Sequence, residues 1–124
     1  MLTIEEYIYE NILMEEMKLN KLSNQLGKII LTIYNSLSKL EDAEKYDKII
    51  SVLKEMRVEI LILEKKFYAK EITSKKLKAN FSSYIKALKK IKHELSAVDD
   101  KKVKRALDKM DKLILKFEDL KTVL

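Results

Sequence analysis

The chain has 124 residues, 47% of them hydrophobic and 37% charged, with a formal net charge of +6, no cysteine, no proline and one glycine. That length suits a single domain over residues 1–124 with a real hydrophobic core, and the apolar fraction excludes a disordered charged tail. The lack of cysteine excludes disulfides, zinc–thiolate and iron–sulfur sites and a cysteine nucleophile.

The scarcity of glycine and proline bears on the fold class. Strand-rich folds need many turns, and turns usually use glycine, proline, asparagine and aspartate. Apolar residues instead recur at alternating spacings of three and four along almost the whole chain, a pattern typical of helices with one buried face. The sequence therefore predicts an all-α protein, a compact antiparallel helical bundle with short connections.

The first apolar stripe raises a question about helix continuity. Read as one helix from Thr3 to Lys39, it would run roughly 55 Å, against roughly 36–42 Å for the later helices. Ser23 and Gly27 lie where a break would remove this mismatch, and serine is a good N-cap. We therefore predict five helices, over residues 3–19, 24–39, 43–70, 74–97 and 100–122. The alternative is four helices, in which a continuous first helix overhangs and packs on another chain.

Polar residues at the breaks predict where the helices begin. Thr3 and Glu6 have the spacing of a capping box for the first helix. Thr73 can accept a hydrogen bond from the first turn of the helix that follows it. Asp99 and Asp100 can do the same for the last helix, and their charge suits its positive N-terminal dipole.

The N-terminus and the apolar runs bear on location. No run of about 18 apolar residues exists, so we expect no membrane span. The first six residues already contain two glutamates, which is not the pattern of a secretory signal. Together these features favour a cytoplasmic protein.

The positive charge is concentrated in the second half of the chain. Residues 1–71 hold 11 Lys+Arg and 13 Asp+Glu, a balance of −2, whereas residues 72–124 hold 15 and 7, a balance of +8. Residues 73–93 contain seven lysines and no acid. An acidic half beside a basic half suggests a polyanion on one side and a protein neighbour on the other.

The residues that catalysis or metal binding would need do not form a recognisable pattern. The one histidine, His93, cannot supply the paired Glu-x-x-His motifs of a metal-binding bundle, and no nucleophile elbow accompanies it. The only arginines, Arg57 and Arg105, lack a histidine at the Arg-x(4–6)-His spacing of helical ribonucleases. One glycine cannot form a phosphate loop. We therefore expect no enzyme activity, no catalytic residue, no metal and no cofactor.

The helix over residues 74–97 is predicted to bury one face and to present lysines on the other. At 100° per residue, Lys75, Lys78, Lys86, Lys89 and His93 fall within about 80° of one another, opposite the apolar stripe. Such a row, roughly 27 Å long, suits the phosphates of a nucleic acid without reading its bases. The alternative is a solvated face that keeps the protein soluble. A membrane-surface helix is disfavoured because the bundle core already uses the apolar face.

Three stretches also match, in the right order, the pattern of one protein family. The family carries an aliphatic-Arg-Val-x-aliphatic stretch in its third helix, and Met56-Arg57-Val58 fits its start. A Gly-Arg pair is common at the end of that stretch, where this chain has Lys65 and Lys66.

The other two matching stretches lie near the start and the end of the bundle. Residues 23–30 resemble the family's Thr/Ser-x-Gln-aliphatic-Arg-Lys-aliphatic helix start, with Gln25 and Lys28 in place and Gly27 where arginine is usual. Residues 110–117 resemble its Met-Glu-x-Leu-Val-x-x-Phe ending. Over roughly residues 23–118 the chain thus resembles the small subunit of type III-A CRISPR effector complexes, the Csm family.

The resemblance implies a non-catalytic, RNA-binding subunit of an antiviral ribonucleoprotein. Its copies would support the guide–target RNA duplex, while a neighbouring backbone subunit cuts the target. The implied partners are guide RNA, target RNA and other subunits of the effector complex, with self-association left open and no membrane. The expected RNA-binding residues are four from the resemblance and five from charge: Lys28, Arg57, Lys65 and Lys66, then Lys70, Lys75, Lys78, Lys86 and Lys89.

Two further interpretations stay open. A helical protein–protein adaptor or assembly subunit would bind no nucleic acid and would dock a partner through its acidic first helix. The small subunit of the other type III complexes is a near neighbour that the sequence separates poorly from the type III-A subunit.

Overall fold

The described part of the chain is built from four α-helices. The computed structural model describes the backbone of residues 4–124 and the side chains of residues 19–122 and 124. Within those limits there is no strand, which confirms the all-α prediction, and no helix is both long and apolar enough to cross a bilayer. The helices are α1 (Ile4–Leu37), α2 (Asp47–Tyr68), α3 (Ser74–Leu95) and α4 (Lys101–Val123), with a 3₁₀ turn over Ala43–Tyr46.

The favoured division into five helices is wrong, because α1 runs through residues 19–24 without a break. Ser23 does not cap a helix; it is only 1% exposed and lies within the buried stripe of Leu22 and Leu26. Glycine inside a helix costs about 1 kcal/mol relative to alanine, as at Gly27. Burying each leucine contributes about 1.5–3 kcal/mol. Burial along one continuous stripe therefore outweighs the weak helix formers, and α1 extends to 34 residues.

The helix starts at α3 and α4 follow the cap chemistry. Thr73 is extended, and its hydroxyl oxygen accepts the backbone N–H of Lys76 at 3.2 Å. The Asp100 carboxylate accepts the N–H groups of Lys102 and Val103 at 2.8 and 3.0 Å. Each such cap contributes about 1 kcal/mol. These two predictions are confirmed, whereas the capping box at Thr3 and Glu6 lies outside the described side chains.

The packing order of the helices determines which surfaces can act together. α1 packs along both α2 and α4, and α3 packs along α4, whereas α2 and α3 touch over a shorter stretch. Tyr34 lies beside Lys54 and Gly27 lies beside Arg57, so residue numbers fall along α2 as they rise along α1. The two helices are therefore antiparallel, as their short connection requires.

The centre of the α3–α4 contact is aromatic. The rings of Phe81, Tyr84 and Phe117 lie 5.3 to 6.5 Å apart, centroid to centroid, in tilted arrangements. Such tilted pairs contribute beyond their buried area. Burial raises the pKa of the Tyr84 phenol, and the nearby carboxylate of Glu59 on α2 raises it further. This cluster holds α3 on α4 and fixes which side of α3 faces outwards.

Candidate nucleic-acid interface

Six of the nine predicted RNA-binding residues lie on two surfaces of the bundle, and Lys28, Lys66 and Lys70 lie outside both. All are exposed except Lys78, which is half-buried. We define the α1/α2 face by the outward residues that meet along those two helices: Asn20, Asn24, Gly27, Leu31 and Tyr34 of α1, with Lys54, Arg57, Val58, Leu61, Lys65 and Tyr68 of α2. We define the α3 lysine row as Lys75, Lys78, Lys86 and Lys89. Because α3 packs on α4 rather than on α1, these two surfaces point in different directions.

Three features place α1 and α2 side by side along the α1/α2 face. At one end Asn20 of α1 lines a shallow groove with Lys65 and Tyr68 of α2. At the other end the Lys54 ammonium lies 5.7 Å from the centroid of the Tyr34 ring. This is a cation–π distance. The α1 members recur at spacings of four and three, and the α2 members do so apart from the adjacent pair Arg57 and Val58, so each set lies along one side of its helix.

The middle contact joins the only glycine to Arg57. A β-carbon built on Gly27 would come within 2.9 Å of Arg57 Cζ, 3.0 Å of Nε and 3.2 Å of Nη1. The planar guanidinium therefore lies directly against the α1 backbone, in space that any other residue would partly fill. Lys28 follows in the chain and is exposed.

The basic groups of the α1/α2 face lack acidic partners. Among the described side chains, none of Lys54, Arg57 and Lys65 forms an ion pair. Residues 19–40 contain no aspartate or glutamate at all. The one acid that lines the groove is Glu64, and partial burial raises the pKa of its carboxyl. These cations remain available to an anion that approaches from solvent.

The α1/α2 face also carries most of the exposed large apolar side chains of the described residues. Tyr34 is 51% exposed and Tyr68 is 47% exposed, one near each end of the face. Leu31, Val58 and Leu61 lie between them and are exposed as well. Contiguous exposed apolar groups of this kind usually mark an interaction site.

The α3 lysine row has different surroundings. Lys89 lies 3.6 Å from a carboxylate oxygen of Glu118 on α4. Next to the row, Lys92 donates to both carboxylate oxygens of Asp111, at 2.5 and 2.6 Å. These four side chains line an open groove between α3 and α4, and His93 lines it as well. Lys75 and Lys86 are exposed, and among the described side chains no lysine of the row forms a cation–π contact. Acids of α4 therefore offset part of its charge.

Three of the predicted residues lie near the end of α2. Lys65 and Lys66 occupy its last turn, where positive charge suits the helix dipole. Lys70 follows the helix with a φ of 60°, the left-handed conformation that ends many helices. The N–H of Glu71 then donates to the carbonyl of Lys66 at 2.8 Å. Lys70 thus helps to end α2, a backbone role that the sequence reasoning did not foresee.

No arrangement for metal chemistry is found in the described residues, where no three histidine, cysteine, aspartate or glutamate side chains converge. The two grooves described above are open and shallow, and neither buries a nucleophile beside a base. The exposed cations, aromatic rings and amides can bind a polyanion.

Comparison of the chain with protein-family models, with curated proteins and with solved structures found no match.

Sequence reasoning missed the aromatic and apolar part of the α1/α2 face. Leu31, Tyr34 and Leu61 adjoin buried positions in the sequence, so the spacing rule alone does not separate them from the core. A signal was present, since the long acid-free stretch over residues 19–40 marks a surface that differs from the others. Lys54 was also missed, because its position beside Tyr34 is a tertiary contact.

Proposed function

We propose that the chain is a non-catalytic, RNA-binding small subunit of a cytoplasmic ribonucleoprotein, of the type III-A CRISPR kind that its sequence resembles. The observation that carries the proposal is the α1/α2 face. Arg57 and Lys65, two of the residues implied by the resemblance, are exposed there without ion-pair partners among the described side chains. Guide RNA, target RNA and other subunits of the complex would be its partners.

The chemistry of the cations supports contact with the RNA backbone. Lysine is a flexible point charge, whereas arginine is a planar fork that reads a base edge or grips a phosphate with two hydrogen bonds. The chain has 26 Lys+Arg in total, and only Arg57 and Arg105 are arginines. A surface of this composition favours phosphate contacts that do not depend on sequence. A subunit that supports many different guide sequences needs that property.

The testing experiment is RNA binding measured by fluorescence anisotropy over a range of salt concentrations. Each phosphate contact on a single strand contributes roughly 0.7 to the slope of log affinity against log salt. We expect a slope of about two or more, and a weaker, flatter response in Lys65→Glu/Lys66→Glu with unchanged helicity. The matched control is Lys101→Glu/Lys102→Glu, a second exposed lysine pair at the start of α4. No RNA binding at low salt would contradict the proposal, and equal losses in both variants would remove the assigned role of Lys65 and Lys66.

An adaptor without nucleic-acid binding is the second candidate. The exposed side chains of Leu31, Val58 and Ile62 favour it, because apolar groups of this size commonly lie in protein interfaces. This candidate expects no salt-dependent RNA affinity and a stable complex with another protein. The same anisotropy series therefore separates the two candidates.

A further inference from the structure

The apolar side chains of the α1/α2 face have no role in a purely phosphate-binding surface. We propose that this face binds single-stranded RNA by stacking unpaired bases on Tyr34 and Tyr68, while Lys54, Arg57 and Lys65 hold the phosphates. The inference rests on the proposed function and deepens it, because it names both the form of the RNA and the side chains that select it.

The two tyrosines are placed as stacking platforms. Their rings are about half exposed, although tyrosine rings are large and usually pack on a neighbour. Every base has a π-face, so stacking on exposed aromatic side chains binds single strands without reading their sequence. Bases that are already paired and stacked in a duplex cannot use such rings.

A cation accompanies each platform. The Lys54 ammonium lies 5.7 Å from the centroid of Tyr34, close enough to meet the phosphate of a nucleotide stacked there. Lys65 and Tyr68 line one groove at the opposite end, together with the amide of Asn20. Alternating rings and cations are the composition typical of single-strand binding grooves.

Arg57 supplies the middle of the face. Its guanidinium rests against the α1 backbone at Gly27, so its plane is held by the helix instead of swinging freely in solvent. A guanidinium fixed in this way keeps its outward N–H donors ready for a phosphate oxygen. Leu31 and Val58 flank it with exposed apolar surface.

The length of the face sets the size of the site. Tyr68 lies at the level of Asn20 and Tyr34 at the level of Lys54, so the platforms are separated by about the rise from residue 20 to residue 34 of α1. That rise is roughly 21 Å. It suits a short site of roughly four nucleotides, at the lower end of the range for single-strand binding folds.

The charge of the face favours RNA over a protein occupant. Among the described side chains its cations have no ion-pair partners and only one acid, Glu64, lines its groove. A protein partner would use the apolar groups but would need several carboxylates to match the cations. A phosphate backbone supplies one negative charge per nucleotide together with the π-faces that the tyrosines can stack on.

The test compares two double variants of the full chain. Tyr34→Ala/Tyr68→Ala removes both rings, and Tyr34→Phe/Tyr68→Phe keeps the rings but removes the hydroxyls. The probes are a labelled oligouridine of about 12 nucleotides and an RNA duplex of the same length. We expect the alanine pair to bind the oligouridine at least about tenfold more weakly, and the phenylalanine pair to stay within about twofold of the wild type. The salt slope stays unchanged in both, because the phosphate contacts remain.

Leu115→Ala is the matched surface control, since Leu115 is an exposed apolar residue on α4. Wild-type affinity in the alanine pair, or duplex binding as tight as oligouridine binding, would overturn the stacking inference and leave the proposed function standing. Absence of binding by the wild type would overturn both. Sedimentation of the wild type and the alanine pair adds a further outcome. One result would overturn the inference: the wild type self-associates, oligouridine does not disrupt this association, and the alanine pair does not self-associate. The face would then be a contact between copies of the chain.

Discussion

The α1/α2 face and the α3 lysine row are both basic, yet they differ in what surrounds the charge. The row contains four lysines on one helix, but Lys89 meets Glu118 of α4. On the α1/α2 face, Lys54 lies over Tyr34 and Arg57 lies against Gly27. A count of lysines alone therefore does not show how much charge each surface leaves available, because a neighbouring helix can supply acids or rings.

The difference follows from which helix each surface adjoins. α4 carries four acids, among them Asp111 and Glu118, which face α3. Residues 19–37, the part of α1 whose side chains the structure describes, carry none, so this part of α1 cannot neutralise the cations of α2. Exposed ion pairs contribute little to stability, typically below about 1 kcal/mol. Their main consequence here is to lower the net positive charge of the α3 side.

The largest expected effect comes from reversing charge on one surface at a time. We expect Lys54→Glu/Arg57→Glu to weaken single-stranded RNA binding about tenfold or more and to lower the salt slope by roughly 1.4, the value for two lost phosphate contacts. Lys75→Glu/Lys86→Glu changes the net charge equally, so it is the matched control, and we expect less than about a threefold loss. Anisotropy at several salt concentrations measures both. Equal losses would show that net charge alone governs binding and would remove the distinction between the surfaces.

A smaller effect is expected at Gly27, where stability and binding should change in opposite directions. Gly27→Ala should stabilise α1 by up to about 1 kcal/mol, because alanine is the better helix former. The new methyl group must displace the Arg57 guanidinium, which is the flexible end of a side chain and can move. We expect RNA affinity to fall about threefold as the guanidinium loses its fixed position. Urea unfolding and anisotropy provide the two measurements.

The double variant Gly27→Ala/Arg57→Ala separates the two contributions to that result. Without Arg57 the methyl group has free space, so Gly27→Ala should stabilise the Arg57→Ala background at least as much as it stabilises the wild type. In that background Gly27→Ala should cause no further loss of RNA affinity. A drop in stability in both backgrounds would mean that the α1 backbone at Gly27 is constrained by something other than Arg57. A loss of affinity that persists without the arginine would contradict its role.

The comparison also shows how far the sequence could predict this molecule. The helix over residues 74–97 was predicted nearly to its observed bounds, Ser74–Leu95, because a regular stripe and the cap at Thr73 agree. The break near Ser23 was wrong because capping residues are a local signal, and burial of the flanking leucines is a tertiary one. Fold class therefore followed from pattern, whereas helix continuity depended on packing.

The candidate site was predictable only in part. The exposure of Lys28, Arg57 and Lys65 agrees with their assignment to the surface, although their contact with RNA stays a prediction. The seating of Arg57 on Gly27 joins residues 30 positions apart, and no spacing rule within one helix reaches that far. The exposure of Tyr34 depends on which side of α1 the other helices leave open.

The smallest expected effect tests the one acid at the groove of the α1/α2 face. Burial raises the folded-state pKa of Glu64 above its ordinary value of 4.5. The folded chain then holds this proton more tightly than the unfolded chain, so the contribution of Glu64 to stability is greatest below that value and declines as pH rises through the folded-state pKa. Glu64→Gln removes the penalty of burying the charged carboxylate, so we expect a slightly higher urea midpoint than wild type at neutral pH and a smaller difference at acid pH.

Loss of the Glu64 carboxylate should also raise RNA affinity about twofold at neutral pH, because the carboxylate no longer repels the nearby phosphates. A variant less stable than wild type at neutral pH would mean that the carboxylate is stabilised by a partner instead of being penalised by burial.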